Sequence, residues 1–512
     1  MWDGRYDVEA IVSALKLSKN VVGKPVFINI RTVIGVDMAS AGTAKAHHGG
    51  FDAESIATSK RLAGLSPTSR YEVPDRTLRY FEDLKTRGVD LHSSWNQVLQ
   101  DYESQYAELA KALKRRICPS ENATSFLKDI DVDQFKGMPT REVNGILLQQ
   151  LWGQLPEMCG GGADLVNSNK IAYDEDDVFD ESSNYRGRYI RHGIREVNHR
   201  TSYCVMLLLT YLPSTRWPRL QMDWQLITRA HSSLLPQHSL CSISTYVYLT
   251  NLGSDTKQPK AAPGVRMGAL SNLQVIHIAT HDSFGRFLLL SSYKSDTDKP
   301  LAEGQNGPTH QPVELDSLYR AMPNFNHIRP CDAEELLGAW AFALSEKHTP
   351  SMISVARDPV SSVPGTSREK ALRGAYVVRE EIDADVTLVS CGSNLHYVIS
   401  AVESLARAEP AIKCRVVSAP CLSLFAKQDQ IYREGVIPLN GKPVISVEEY
   451  VATVWARYCT ASIGMTSFGY SASNESNYRR FGLDAEGIEE KVKAYLNSLN
   501  GASAREAGWR QL

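Results

Sequence analysis

Three short polar clusters in this sequence carry side chains able to move protons. They are KAHHGGFD, with His47 and His48; ATHDS, with His281; and NGPTHQP, with Asn306 and His310. Imidazole titrates near neutral pH, so a histidine beside a reacting group can take or give a proton there. Singly, each has a plainer reading: a loop for the His-His-Gly turn, a hydrogen-bonded core histidine for His281, a turn residue for His310. A fourth segment, GIRE, ends in Glu196, and a lone glutamate after an arginine is ordinarily a solvated surface pair. Between the second and third clusters, residues 284–305 carry no motif of their own, which leaves their presence to be explained.

The elements that must position these clusters alternate between helix and strand. Residues 8–20 have helical spacing and are followed by the strand-like PVFINIRTVIG. Residues 54–64 and 75–117 read as charged surface helices. Near Phe135 a second unit opens, with a helix over 139–155, a glycine-rich turn at CGGGADL, a strand at QVIHIAT, helices at VELDSLYRAM and AEELLGAWAFALSEK, and a strand at SMISVAR. From about Asp385 a third unit reads VTLVSCGSN, LHYVISAVESLARA, CRVVSAP and PVISVEE, then two closing helices. This order predicts stacked α/β units with parallel sheets. Residues 197–260 hold neither period for more than a few residues, which is unusual inside a compact domain.

Composition limits the function. At 512 residues, 43% hydrophobic and 22% charged, the chain can build two to four cored domains. A net charge of -2 gives no reason to expect nucleic acid or an anionic membrane as partner. Nine cysteines, none in a C-x-x-C pair, argue against a disulfide framework and for a reduced compartment. The longest apolar run, YCVMLLLTYL, is about half of a bilayer span. The expectation is a soluble, cytoplasmic protein; the terminal RQL is a poor match to the peroxisomal S-K-L address.

Taken together and in order, INIRTVIG, KAHHGGFD, FKGMPTREVNG, GGGADLVNSN, GRYIRHGIRE, ATHDS, NGPTHQPVELDSLYRAMPN, IRPCDAEE and SCGSN...FGYSAS resemble the transketolase family, and within it the dihydroxyacetone synthase branch. The resemblance implies a remnant of the diphosphate-binding domain over residues 1–65, a helical connection over 66–134, a doubly wound pyrimidine-binding domain over 135–365 and a C-terminal α/β domain over 380–512. It also implies transfer of a two-carbon ketol unit from a ketose phosphate to an aldehyde, with thiamine diphosphate and Mg2+ as cofactors and a two-fold dimer as the assembly.

By the same resemblance Glu196 is the carboxylate beside the aminopyrimidine, His48 lies near cofactor and substrate with His47 the weaker neighbour, and His281 and His310 contact donor and acceptor hydroxyls. Arg141, Ser168 and Arg357 match the positions that hold a sugar phosphate, where guanidinium groups fork onto phosphate oxygens. Asp164 matches a buried acid near the subunit boundary, with a turn-stabilising role the alternative. Asn306 stands where transketolases carry an acid. An amide cannot accept a strong charge-assisted bond from a sugar hydroxyl, so formaldehyde becomes plausible as acceptor beside an aldose phosphate.

Two departures qualify this. The G-D-G motif that binds Mg2+ and the diphosphate does not occur in the sequence, and GIRE continues as VNHR instead of HAM. Back-translating residues 214–245 with a one-base shift recovers HAM, then IANGLAAYHPGTFL and STFFMFYLY. The flanks permit splice signals, so residues 197–260 and 286–301 are expected to be aberrant inserts, intron read as protein; a lineage-specific surface loop is the alternative. Because the aromatic clamp for the cofactor exists only in the shifted frame, the chain as written is expected to bind thiamine diphosphate poorly or not at all. A non-catalytic dimerising or regulatory relative, or one half of a two-chain enzyme, are the alternatives to an intact transferase.

Overall fold

The computed structural model describes residues 2–3, 7–48, 52–117, 121–156, 158–162, 177–181, 186–191, 248–252, 262–280, 308, 311–357, 359 and 362–512. The inserts expected over 197–260 and 286–301 lie outside the described residues, except for 248–252. Two compact units emerge, one taking in the described residues up to Lys111 and the other those from Ala112 onward.

In the first unit, helices start where a carboxylate can accept an orphan backbone N–H. Asp7 caps α1 (Val8–Ser18) through Ala10 N–H at 2.9 Å, and Asp52 caps α2 (Ala53–Leu62) through Ser55 N–H at 2.8 Å. The charged stretch forms α3 (Asp75–Gln105) and α4 (Ala107–Ile117), broken at Tyr106. The expected strand PVFINIRTVIG is corrected by the structure: only β2 (Ile30–Arg31) pairs, in parallel, with β1 (Trp2–Asp3). Phe27 is 89% exposed, so this apolar run is not buried in a sheet. Among the described hydrophobic residues of this unit only Ala14, Ala46 and Ala110 are buried, while Leu78, Tyr80, Val89 and Leu91 of α3 face outward.

The second unit contains two six-stranded sheets. The first is built from β3 (Cys159–Gly162), β4 (Tyr189–Arg191), β5 (Tyr248–Leu252), β6 (Val275–Thr280), β7 (Asn326–Ile328) and β8 (Ser351–Val355), in the order β4-β3-β5-β6-β8-β7. All neighbours are parallel. The glycines expected to form a turn at CGGG instead make β3, paired on both sides. Residues 248–252, inside the stretch read as an insert, occupy the strand position between β3 and β6.

Helices cover both faces, as the doubly wound expectation requires. Leu147, Leu148 and Leu151 of α5 (Thr140–Gln154) share a core with Ile276, Ile278 and Ile353. Ala279 and Met352, one residue out of phase on the same strands, pack against α6 (Ala262–Leu270) and α7 (Leu315–Arg320). That alternation is the two-residue period of a strand buried on both sides. On the first face α8 (Ala333–Ser345) lies beside α5, with the Trp340 indole donating to Asn144 Oδ1 at 2.8 Å. No described helix is long and apolar enough to cross a membrane.

The second sheet has the order β14-β13-β12-β10-β11-β9, with β9 (Tyr376–Arg379), β10 (Val386–Ser390), β11 (Cys414–Ser418), β12 (Val444–Val451), β13 (Ala461–Met465) and β14 (Arg510–Gln511). Only the β9–β11 pairing is antiparallel. The helices α9 (Asn394–Arg407) and α11 (Ala485–Leu499) cover one face, and α10 (Asn474–Phe481) ends at Gly482, whose φ of +63° suits glycine.

A lattice of buried charges joins the two sheets. Two carboxylates, Glu448 and Glu449, sit inside the otherwise apolar β12 with no exposure. Arg320 of α7 grips Glu448 with two bonds, at 2.6 and 2.8 Å. Arg329, just after β7, donates to both Glu448 and Glu449, the latter at 2.9 Å. The Trp455 indole adds a bond to Glu448 at 2.7 Å, and the Tyr478 hydroxyl donates to Glu449. Burial alone would raise the Glu448 pKa, but Arg320 and Arg329 hold it well below the usual carboxylate range.

Gly392 permits this packing: its φ is +57°, and a Cβ there would meet Arg329 Nη2 at 3.0 Å. Backbone bonds cross the same seam, from Arg329 N–H to Pro420 C=O and from Val451 N–H to Val313 C=O.

Two outcomes follow for denaturant unfolding. Trp340→Ala is expected to lose about 3–5 kcal/mol, as for a fully buried aromatic, and a loss under about 1 kcal/mol would contradict its core position. Glu448→Gln is expected to lose about 3–5 kcal/mol at pH 7, because it leaves two buried guanidinium groups undercompensated. Since the folded pKa is depressed, the stabilisation is present above the unfolded value and lost as pH falls through the folded one. The gap between wild type and variant should therefore narrow as pH drops below about 4.5; a gap independent of pH would refute the ion-pair assignment.

Candidate active site

In a parallel α/β sheet, ligands gather at the edge formed by the carboxyl ends of the strands. The candidates follow those ends in sequence: Asp164 and Ser168 after β3, Glu196 after β4, His281 directly after Thr280 of β6, and Arg357 two residues beyond Val355 of β8. Asp164, Ser168, Glu196, His281, Asn306 and His310 themselves lie outside the described residues. So does the His48 side chain, although its backbone closes a short 3-10 turn at Ala44–His48, where the neighbouring His47 is exposed.

Arg141 and Arg357 are described, and the structure brings their backbones together. The Arg141 N–H donates to Ala356 C=O at 2.9 Å, and Ala356 N–H returns a bond to Thr140 Oγ1 at 2.7 Å. Pro139 and Pro359 form a bridge on the far side of the pair. Thr140 is fully buried, so this junction is anchored in the core. Both arginines thus stand where β8 ends and α5 begins, at a helix N-terminus whose dipole favours an anion. The Arg141 side chain keeps 20% exposure, with Nη2 3.3 Å from Glu142 Oε1, and Arg357 is half-buried. Two guanidinium groups beside a helix start can grip a phosphate.

A second anchor fixes the strand that leads into GIRE. Asp177 accepts from Trp152 Nε1 at 2.5 Å and from Arg188 Nε at 2.9 Å, while Arg188 also donates to Trp152 C=O. Burial opposes ionisation of Asp177, but the Trp152 and Arg188 bonds win and lower its pKa. Gly187 approaches Val178 so closely that a Cβ would meet its carbonyl at 2.2 Å, which leaves only glycine at the start of GRYIR.

Sequence reasoning missed the groups that hold the edge in place. Arg320 and Arg329 lay unremarked inside RAMPN and IRPCD, and the signal that could have found them is the Glu-Glu pair in the apolar strand VISVEEYV. A second network missed in the same way centres on Glu335 of α8, which accepts from Ser418 Oγ at 2.5 Å and Tyr376 Oη at 2.8 Å in the second sheet. Asp332 caps α8 through Glu335 N–H at 3.1 Å. Burial raises the pKa of both carboxyls, and their mutual repulsion adds to it for Glu335. Among the described residues no group of three or more His, Cys, Asp or Glu side chains could hold a metal ion.

Known proteins bear directly on this arrangement. Three family models match in order: "Transketolase, thiamine diphosphate binding domain" over residues 2–121, "Transketolase, pyrimidine binding domain" over 296–361 and "Transketolase-like TK C-terminal domain" over 374–484. The chain is similar to dihydroxyacetone synthase of Pichia angusta, 31% identical over 507 residues covering 96% of this chain and 63% of that protein. It is similar as well to transketolase 1 of Saccharomyces cerevisiae, 30% identical over 511 residues, 98% of this chain and 66% of that protein. It therefore spans slightly less than two thirds of these relatives' length.

Among solved structures, a Pichia stipitis transketolase complex with sedoheptulose 7-phosphate superposes with a TM-score of 0.76 at 26% identity, over 98% of this chain and 67% of that one. Transketolase from Leishmania mexicana gives 0.73 at 28% identity, over the same shares of the two chains. With the domain models in order and this likeness extending over nearly its whole length, the chain belongs to the transketolase family.

Proposed function

We propose that this chain serves transfer of a two-carbon ketol unit from a ketose phosphate to an aldehyde, either an aldose phosphate or formaldehyde. The observation that carries the reading is the junction of Thr140-Arg141 with Ala356-Arg357, two cations at the N-terminus of α5 on the ligand edge of a parallel sheet. In this reading Arg141, Arg357 and Ser168 hold the sugar phosphate, and Asn306 meets the acceptor. Glu196, His48, His281 and His310 hold or move protons, and Asp164 supports the cofactor side. The assembly is a two-fold dimer acting in the cytoplasm.

Thiamine diphosphate, when bound, supplies the nucleophilic carbon that such a transfer needs. The two arginines of this junction support a phosphate-binding role in this reading. Among the described residues no group of three or more His, Cys, Asp or Glu side chains could hold a metal ion, and the sequence has no G-D-G motif. In this reading the described residues Arg141 and Arg357 contribute binding and orientation of the sugar phosphate. The outward-facing apolar side chains of the first unit favour a second reading, a non-catalytic relative that acts through a partner.

Two titrations separate these readings. Fructose 6-phosphate is expected to bind the wild-type chain measurably more tightly than fructose, and Arg141→Ala to weaken it about tenfold or more by calorimetry; equal affinity for both sugars would remove the phosphate assignment. Thiamine diphosphate with Mg2+ is expected to bind the 512-residue chain only weakly or not at all. A dissociation constant in the low micromolar range would overturn that expectation and support the ketol transfer, whereas no binding would favour the non-catalytic relative.

A further inference from the structure

The second sheet has a cavity at the edge opposite to the one that meets the first. It opens where β12 and β13 begin, near Val444 and Thr460, and holds about 230 Å³. Its charged lining consists of Lys442, Arg457 and Arg505, and no carboxylate is among the described residues that line it. Lys442 reaches Ala384 C=O at 2.8 Å, which orients its stem while two further N–H donors remain on the ammonium. Arg457 and Arg505 have no ion-pair or hydrogen-bond acceptor for their guanidinium groups among the described residues. Arg457 lies 5.5 Å over the Tyr458 ring. A neighbouring cavity of about 250 Å³ shares Leu439, Arg457 and Tyr458 with the first and adds Arg433 and Glu434.

Lys442, Arg457 and Arg505 line one small cavity with no carboxylate among its lining residues, so an anion placed there would meet three cations. Guanidinium groups fork onto phosphate oxygens, and an ammonium adds a compact positive charge beside them. The floor is rigid: Trp509 donates through Nε1 to Ser462 Oγ at 3.0 Å, and Ala504 N–H bonds Gly441 C=O at 3.0 Å. The volume suits a small molecule and excludes a folded macromolecule. We infer that this cavity is a second anion site, which binds a small organic phosphate between Lys442, Arg457 and Arg505. It is independent of the Arg141–Arg357 corner, since the two lie on different sheets.

The test is 19F NMR on the full chain labelled with 5-fluorotryptophan, with the Trp509 signal assigned through Trp509→Phe and inorganic pyrophosphate as probe. A saturable shift of the Trp509 signal is expected. Its dissociation constant should rise about tenfold or more in the Arg457→Ala/Arg505→Ala double variant, because two charge-assisted contacts are lost. Both arginines are exposed, so the double variant should fold. The same shift should persist in Arg141→Ala/Arg357→Ala. No saturable shift, or an affinity unchanged by loss of Arg457 and Arg505, would overturn the inference; loss of the shift in the Arg141/Arg357 variant would also overturn it, by assigning the response to the other site.

Discussion

A lattice of charges in the interior sets the terms for the rest of the second unit. Arg320, Arg329, Glu448 and Glu449 are removed from water, so each depends on its partners for solvation. The arginines come from the ends of α7 and β7, and the glutamates from the middle of β12. Asp316 also pairs with Arg320 from within α7 at 2.7 Å, while Glu448 and Glu449 take their cations from across the seam. The Arg329 guanidinium over the Tyr450 ring at 4.3 Å and Arg320 over Trp455 at 5.3 Å add cation–π contacts within the same seam. Glu335 repeats the pattern at a second point with Tyr376 and Ser418.

That constraint bears on function through geometry. The arginine corner is held by the buried Thr140 bond and by β8, which is flanked by β6 and β7. Since β7 runs directly into Arg329, the seam and the corner belong to one rigid sheet. Side chains at that corner are positioned by the core and not by a loose surface loop. The first unit has the opposite character: its helices are capped and regular, yet only three alanines are buried among its described hydrophobic residues. Regular local structure without buried area adds little stability.

Much of the second unit was legible in the sequence because its signals are local. The runs SMISV and VTLVS are apolar on both faces and became fully buried parallel strands, and the spacing of LHYVISAVESLAR became α9. PVFINIRTVIG misled because the same pattern describes a strand only where a sheet can receive it. CGGG misled in the other direction: glycine punctuates turns by default, while here its lack of a side chain suits a strand flanked by two others. Arg141 and Arg357 were singled out through motif order alone, 216 positions apart, and the fold brings their backbones to one junction. The buried ion lattice escaped because charge in a sequence does not announce whether it will meet water or a partner.

The most direct test is a double-mutant cycle on Arg320→Met and Glu448→Gln, measured by denaturant unfolding at neutral pH. If the buried lattice is what fastens the sheets, the double variant should be far less destabilised than the sum of the singles, with a coupling of about 2–3 kcal/mol. Additivity within about 0.5 kcal/mol would mean that the pair contributes nothing as a pair, and the account of how the two sheets are held together would fail.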